Sequence, residues 1–201
     1  MLNVYSTIIM RIEDQLILFD PVEIDPYQFK DLHFIVITHE HVDHFDKKLV
    51  FKLNEYTGAT ILTTPFVGNR LTGFCNSIIP MKPNDSYEIG KNINIYAEKS
   101  YHNANQGLTF FVESKMATVF YPNDSACHPK FASLRDKFKP TIIVFIGNSM
   151  KNLIDISMVM KPKVIVTYDY PGIKSIALPD TALVALKQFE WYHFPDNYVE
   201  K

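Results

Sequence analysis

The segment Phe34-Ile35-Val36-Ile37-Thr38-His39-Glu40-His41-Val42-Asp43-His44 opens as an apolar strand and closes on a cluster of metal-ligand side chains. Its first four residues are β-prone and continuously apolar, the pattern of a strand covered on both faces. Its last six bring together His39, His41, Asp43 and His44. Imidazole and carboxylate are the ligand types that hold catalytic zinc, manganese or iron, and packing alone rarely gathers them. Residues two apart in an extended segment point the same way, so His39 and His41 can reach one ion from the strand end. Asp43 and His44 fall in the turn beyond, displaced enough to face a second ion. Each ion takes about four to six donors including solvent, so the rest of the chain must supply more.

Working outward, residues 4 to 10 and 15 to 19 are β-prone runs divided by a polar stretch with Glu13-Asp14 as its turn, which predicts a hairpin ending at Phe19-Asp20-Pro21. Downstream, Asp46 stands at the N-cap position of a helix carrying Leu49, Val50, Leu53 and Tyr56, and Gly58 is placed to end it. Thr60 to Thr63, Ile93 to Ala97, Leu108 to Glu113 and Ala117 to Tyr121 read as strands. After Pro129, Phe131, Leu134 and Phe138 suit a short helix, and Thr141 to Ile146 is a second fully apolar run. Met150, Leu153, Ile154 and Met158 mark another helix that breaks at Pro162, followed by a strand at Val164 to Thr167. Pro179-Asp180 is read as opening a last helix through Gln188. No linker, repeat or low-complexity tract divides the chain, so residues 1–201 are taken as a single domain. Strands that twice lead into strand-helix units suit two stacked sheets with helices outside.

Composition narrows the function classes. A chain of 201 residues with 47% apolar residues is long enough for a large core, and a formal charge of -2 gives no general pull toward nucleic acid. A small-molecule substrate is therefore preferred to nucleic acid as partner. Cys75 and Cys127 form neither a disulfide framework nor a Cys-x-x-Cys pair, which fits a reducing compartment. The N-terminus lacks the plan of a signal peptide and no apolar run approaches a membrane span, so the expected location is cytoplasmic, away from the membrane.

Further ligand candidates stand after three predicted strands: His102, Asp124 and Asp169. Loops at strand ends on one rim are where sites are usually grafted. With these residues in view, the chain resembles the metallo-β-lactamase superfamily. His39, His41, Asp43 and His44 match its His-x-His-x-Asp-His signature, Asp20 its upstream aspartate, His102 its next histidine, and Asp124 in Asn123-Asp124-Ser125 the aspartate usually found in Gly-Asp-Thr. Lys161-Pro162-Lys163-Val164-Ile165-Val166 looks most like the L-ascorbate-6-phosphate lactonase-like branch of metal-dependent hydrolases.

The resemblance implies an α/β fold, a four-layered αβ/βα sandwich, with a dinuclear metal site on one edge of its sheets. His39, His41 and His102 are then expected at the first ion, Asp43, His44 and Asp169 at the second, and Asp124 as the bridge. Asp43 and Asp124 are the catalytic candidates, and Asp20 is expected outside the ligand set, orienting the loop. The expected reaction is hydrolysis of a small anionic ester, lactone or phosphoester by a hydroxide bridging two divalent ions, zinc first and manganese or iron next. The alternatives are a nuclease or phosphodiesterase with the same ions, a single-metal redox enzyme, and a catalytically disabled binding protein. One departure stands out: the family's last histidine falls at Asp169, where a carboxylate brings a harder donor and favours manganese or iron. His33, His128 and His193 are read as ordinary surface or core histidines, and Tyr101, Tyr168 and Tyr170 as packing.

Overall fold

The computed structural model describes residues 6–147, 149–169, 172–173, 176–196 and the backbone of 198–200. Tyr170, and positions 4 and 5 of the expected hairpin, lie outside the described residues.

The first sheet runs β1 (Ile8–Ile12), β2 (Gln15–Phe19), β3 (Phe34–Ile37), β4 (Thr60–Thr63) and β5 (Ile78–Pro80), side by side in chain order. Only β1 and β2 pair antiparallel, as the hairpin around Glu13-Asp14 requires; β2 through β5 are parallel. The second sheet has the order β12 (Ala182–Leu186), β11 (Val164–Tyr168), β10 (Ile142–Phe145), β9 (Thr118–Tyr121), β8 (Leu108–Glu113), β7 (Ile93–Lys99), β6 (Ser86–Ile89). Its β6 to β9 half is an antiparallel meander, and β9 to β12 are parallel. A separate hairpin joins β13 (Trp191–His193) to β14 (Tyr198–Glu200).

The apolar strands are explained by alternation between two cores. In β3, Phe34 and Val36 face the space between the sheets, while Ile35 and Ile37 face the helix layer. In β10, Ile142 and Val144 face the inter-sheet core, and Ile143 and Phe145 face the other helix layer. Successive side chains of a strand point to opposite faces, so a strand buried on both must be apolar throughout. Helices α1 (Lys47–Thr57) and α2 (Pro65–Leu71) supply Leu49, Val50, Leu53, Val67 and Leu71 to the first outer core. Helices α3 (Phe131–Phe138) and α4 (Met150–Met160) cover the second sheet with Phe131, Phe138, Leu153, Ile156 and Met160. The result is the expected four-layered αβ/βα sandwich. No helix among the described residues is long and apolar enough to cross a membrane.

Helix α1 begins where Asp46 predicted, its carboxylate accepting from Lys48 N and Leu49 N, and ends on Gly58 in the left-handed region at φ 70. The expected helix from Pro179 to Gln188 is corrected: Ala182–Leu186 is the edge strand β12, parallel to β11 in the register Val164↔Ala182 to Tyr168↔Leu186. Pro179-Asp180 imitates a helix start, but the unpaired N–H and C=O groups of β11 lie alongside, and pairing them outweighs helix propensity. Helix α2 went unread although Thr64-Pro65 carries its start signal: the Thr64 hydroxyl accepts from Val67 N, and Pro65 occupies the first turn.

Candidate metal centre

The ligand candidates collect on one rim because β3, β7 and β9 end there. Beyond β3, the N–H groups of His44 and Phe45 both donate to His41 O, at 2.9 and 2.8 Å, closing a tight turn that projects His41, Asp43 and His44. Ser6 donates its hydroxyl to Asp43 O and pins the far side of that turn. Glu40 reaches across to the loop after β7, its carboxylate accepting from Asn105 N at 2.9 Å and Asn105 Nδ2 at 2.7 Å. The loops after β7 and β9 are joined by Tyr101 N donating to Ser125 Oγ at 2.9 Å and Ala126 N to Tyr101 O at 3.2 Å. Asn152 on α4 braces the same loop, donating to Ser125 O and accepting from Cys127 N.

These braces bring six of the seven predicted ligands into two sets. Donor atoms of His39, His41, His102 and Asp124 all lie within 4.8 Å of one another, as do those of Asp43, His44 and Asp124. Asp124 belongs to both. Its Oδ2 is 3.1 Å from His44 Nε2 and 3.7 Å from His102 Nε2. Asp169 is in neither set; its backbone N–H donates to Leu186 O at 2.8 Å, at the end of the β11–β12 pairing. His33 is exposed, its Nδ1 accepting from Leu16 N, and His128 stacks on Tyr101 at 3.5 Å between centroids.

Asp20 organises the first loop from beneath. Fully buried, it accepts from Thr38 N and Thr38 Oγ1, each at 2.8 Å, from His44 Nδ1 at 3.0 Å and from the Tyr121 hydroxyl at 2.9 Å. That contact leaves His44 Nε2 facing Asp124. The Thr38 hydroxyl spends its proton on Asp20, so its oxygen accepts from His39 Nδ1, 3.0 Å away. His39 Nε2 is therefore the unprotonated nitrogen, and it is buried with no hydrogen-bond partner. A buried lone pair without a partner is costly unless a cation fills the place, so the donor set fits a metal ion. Thr38 and Tyr121 carry no ligand-type signal, and sequence reasoning did not select them.

The electrostatics agree. Burial, followed by the neighbouring His44, pulls the His39 imidazole down to about 4. Burial works the same way on His44, but its hydrogen bonds to Asp124 and Asp20 outweigh it and carry the group up to about 10. Burial raises Asp124, yet the contact with His44 and the charges of His102 and His39 hold it below the usual carboxylate range. Burial raises the Tyr121 phenol strongly, and its bond to Asp20 adds to the effect, so it stays a donor.

A family model described as a β-lactamase superfamily domain matches residues 8–158. Among curated proteins none matches. A candidate metal-dependent hydrolase from Parabacteroides distasonis has a similar structure, with 17% identity, TM-score 0.75, and coverage of 92% of this chain and 89% of that one. The metallo hydrolase Igni18 from Ignicoccus hospitalis is alike at 14% identity, TM-score 0.74, covering 98% and 94%. CmlA, a diiron β-hydroxylase from Streptomyces venezuelae, shares 12% identity at TM-score 0.74, and the match spans 92% of this chain but only 52% of CmlA. At these identities the likeness is one of fold.

Proposed function

The chain belongs to the β-lactamase superfamily, and from that premise we propose that it is a metal-dependent hydrolase of a small anionic ester, lactone or phosphoester. The observation that supports this reading is the pair of donor sets sharing Asp124, with the buried His39 Nε2 aimed into one of them. Bound there, divalent cations would supply a water nucleophile at neutral pH and polarise a carbonyl or phosphoryl oxygen. His39, His41, His102 and Asp124 would hold the first ion, and Asp43, His44 and Asp124 the second.

The remaining chemistry belongs to the chain's own groups. Asp20 fixes the ring of His44 and, through Thr38, that of His39, so both present Nε2 without rotamer search. His102 and Asp124 are each 27% exposed at the side chain, which leaves the cluster open on the rim to a small substrate. The second set is the weaker, since it offers fewer protein donors and Asp43 is 58% exposed. Asp169 lies outside it, so zinc and manganese both remain suited to this position.

Metal analysis and hydrolysis assays on gently purified protein test the reading. The expected result is one tightly held ion per chain, a second bound more weakly, and lactone or ester hydrolysis restored by zinc, manganese or iron after chelation. Less than one ion per chain with no activity restored would sink it. Cleavage of generic phosphodiesters in preference to esters would move the assignment to the phosphodiesterase class.

A further inference from the structure

Asn123 directly precedes the shared carboxylate Asp124, and its side chain crosses from the second sheet to the first. It is 1% exposed, holds a left-handed backbone at φ 56, and stands with its amide Nδ2 3.1 Å from His39 Nδ1. In that orientation the buried Oδ1 has no hydrogen-bond partner. Thr38 decides the direction. Its hydroxyl proton is committed to Asp20, so His39 Nδ1 carries a hydrogen, and two donors cannot bond. The amide therefore turns Oδ1 toward the ring; the exchange with Nδ2 is a rotation about one bond.

We infer that Asn123 is a positioning residue whose Oδ1 shares the His39 Nδ1–H with the Thr38 hydroxyl oxygen, holding Nε2 as the ligand nitrogen and tying the β3 ligand loop to the β9 loop that carries Asp124. The inference rests on the metal-site reading above. Asparagine suits this task because it tolerates the left-handed backbone that the turn demands while adding an amide that reaches the next sheet. A glycine would keep the turn and lose the reach.

The test compares the parent with Asn123→Gly and Asn123→Asp. Cobalt affinity is read by competition with a chromogenic chelator, alongside the visible spectrum of the cobalt-loaded protein and the unfolding midpoint of the metal-free protein. The glycine variant is expected to bind cobalt about tenfold to a hundredfold more weakly, the usual effect of removing a group behind a ligating histidine, with an altered spectrum and an unchanged or higher midpoint. Asn123→Asp keeps the acceptor and should bind within a small factor of the parent. Cobalt bound by the glycine variant as tightly as by the parent overturns the inference. So does a parallel fall in affinity and midpoint in both variants, which would make residue 123 merely structural, and so does a loss in Asn123→Asp equal to that in the glycine variant, which would show the residue donating. A parent that binds no cobalt fails the metal-site reading itself.

Discussion

At the scale of single residues, His44 and His39 show how one pocket sets two imidazoles to different charge states. His44, raised to about 10 by Asp124 and Asp20 against its burial, is protonated in the metal-free chain at neutral pH, whereas His39, lowered to about 4, is not. A raised pKa contributes stability that is fully present below the unfolded value of 6.5 and lost as pH rises through about 10. The metal-free chain should therefore lose stability across that window, read as a falling unfolding midpoint, and Asp20→Asn should flatten the decline. Occupation of the second set must displace the His44 proton, while the first set takes its ion from a His39 already neutral. Calorimetry in buffers of different ionisation enthalpy at about pH 7.5 should then show proton release with the weaker ion. Release confined to the tighter ion would contradict this assignment.

At the scale of elements, the helix that follows the ligand loop matters most. Asp46 caps α1 by accepting from Lys48 N at 2.8 Å and Leu49 N at 3.1 Å, three residues after Asp43. Asp46→Ala should cost about 1 kcal/mol of stability, measurable by denaturant unfolding, and should weaken the second ion more than the first. An equal effect on both ions would show that the cap acts on the fold alone. The elements read correctly from sequence were those whose signal was local: the Asp46 cap, the Gly58 stop, and the runs 60–63 and 108–113. Apart from α2, whose Thr64-Pro65 start is local, those missed drew their stability from neighbours. Strand β5 is three residues long and gains its bonds from β4, and β12 carries a helix-like start but completes the β11 ladder.

At the scale of the molecule, the site spans both halves of the sandwich. His39, His41, Asp43 and His44 hang from the first sheet, His102 and Asp124 from the second, and Phe19, Phe110 and Tyr121 pack edge to face in the core between them. An ion bound to both sides is a clamp, so saturating metal should raise the unfolding midpoint, with about 2.7 kcal/mol gained at a hundredfold excess over Kd. His102→Ala should remove most of that gain while leaving the metal-free midpoint within a few degrees. Deletion of the inter-sheet anchor, Phe110→Ala, should instead cost about 3–5 kcal/mol with or without metal. The ligand cluster at 39–44, the strand before it and the helix cap after it were determined by sequence alone, because consecutive residues share one backbone path and their chemistry can be read in order. Only the tertiary structure decided that Asp20, Thr38 and Tyr121 form one buried network, that Asn123 meets His39, and that Asp169 stands outside both donor sets. Those relations join residues as many as 101 positions apart, and distance along a chain carries no information about direction in space until the sheets have stacked.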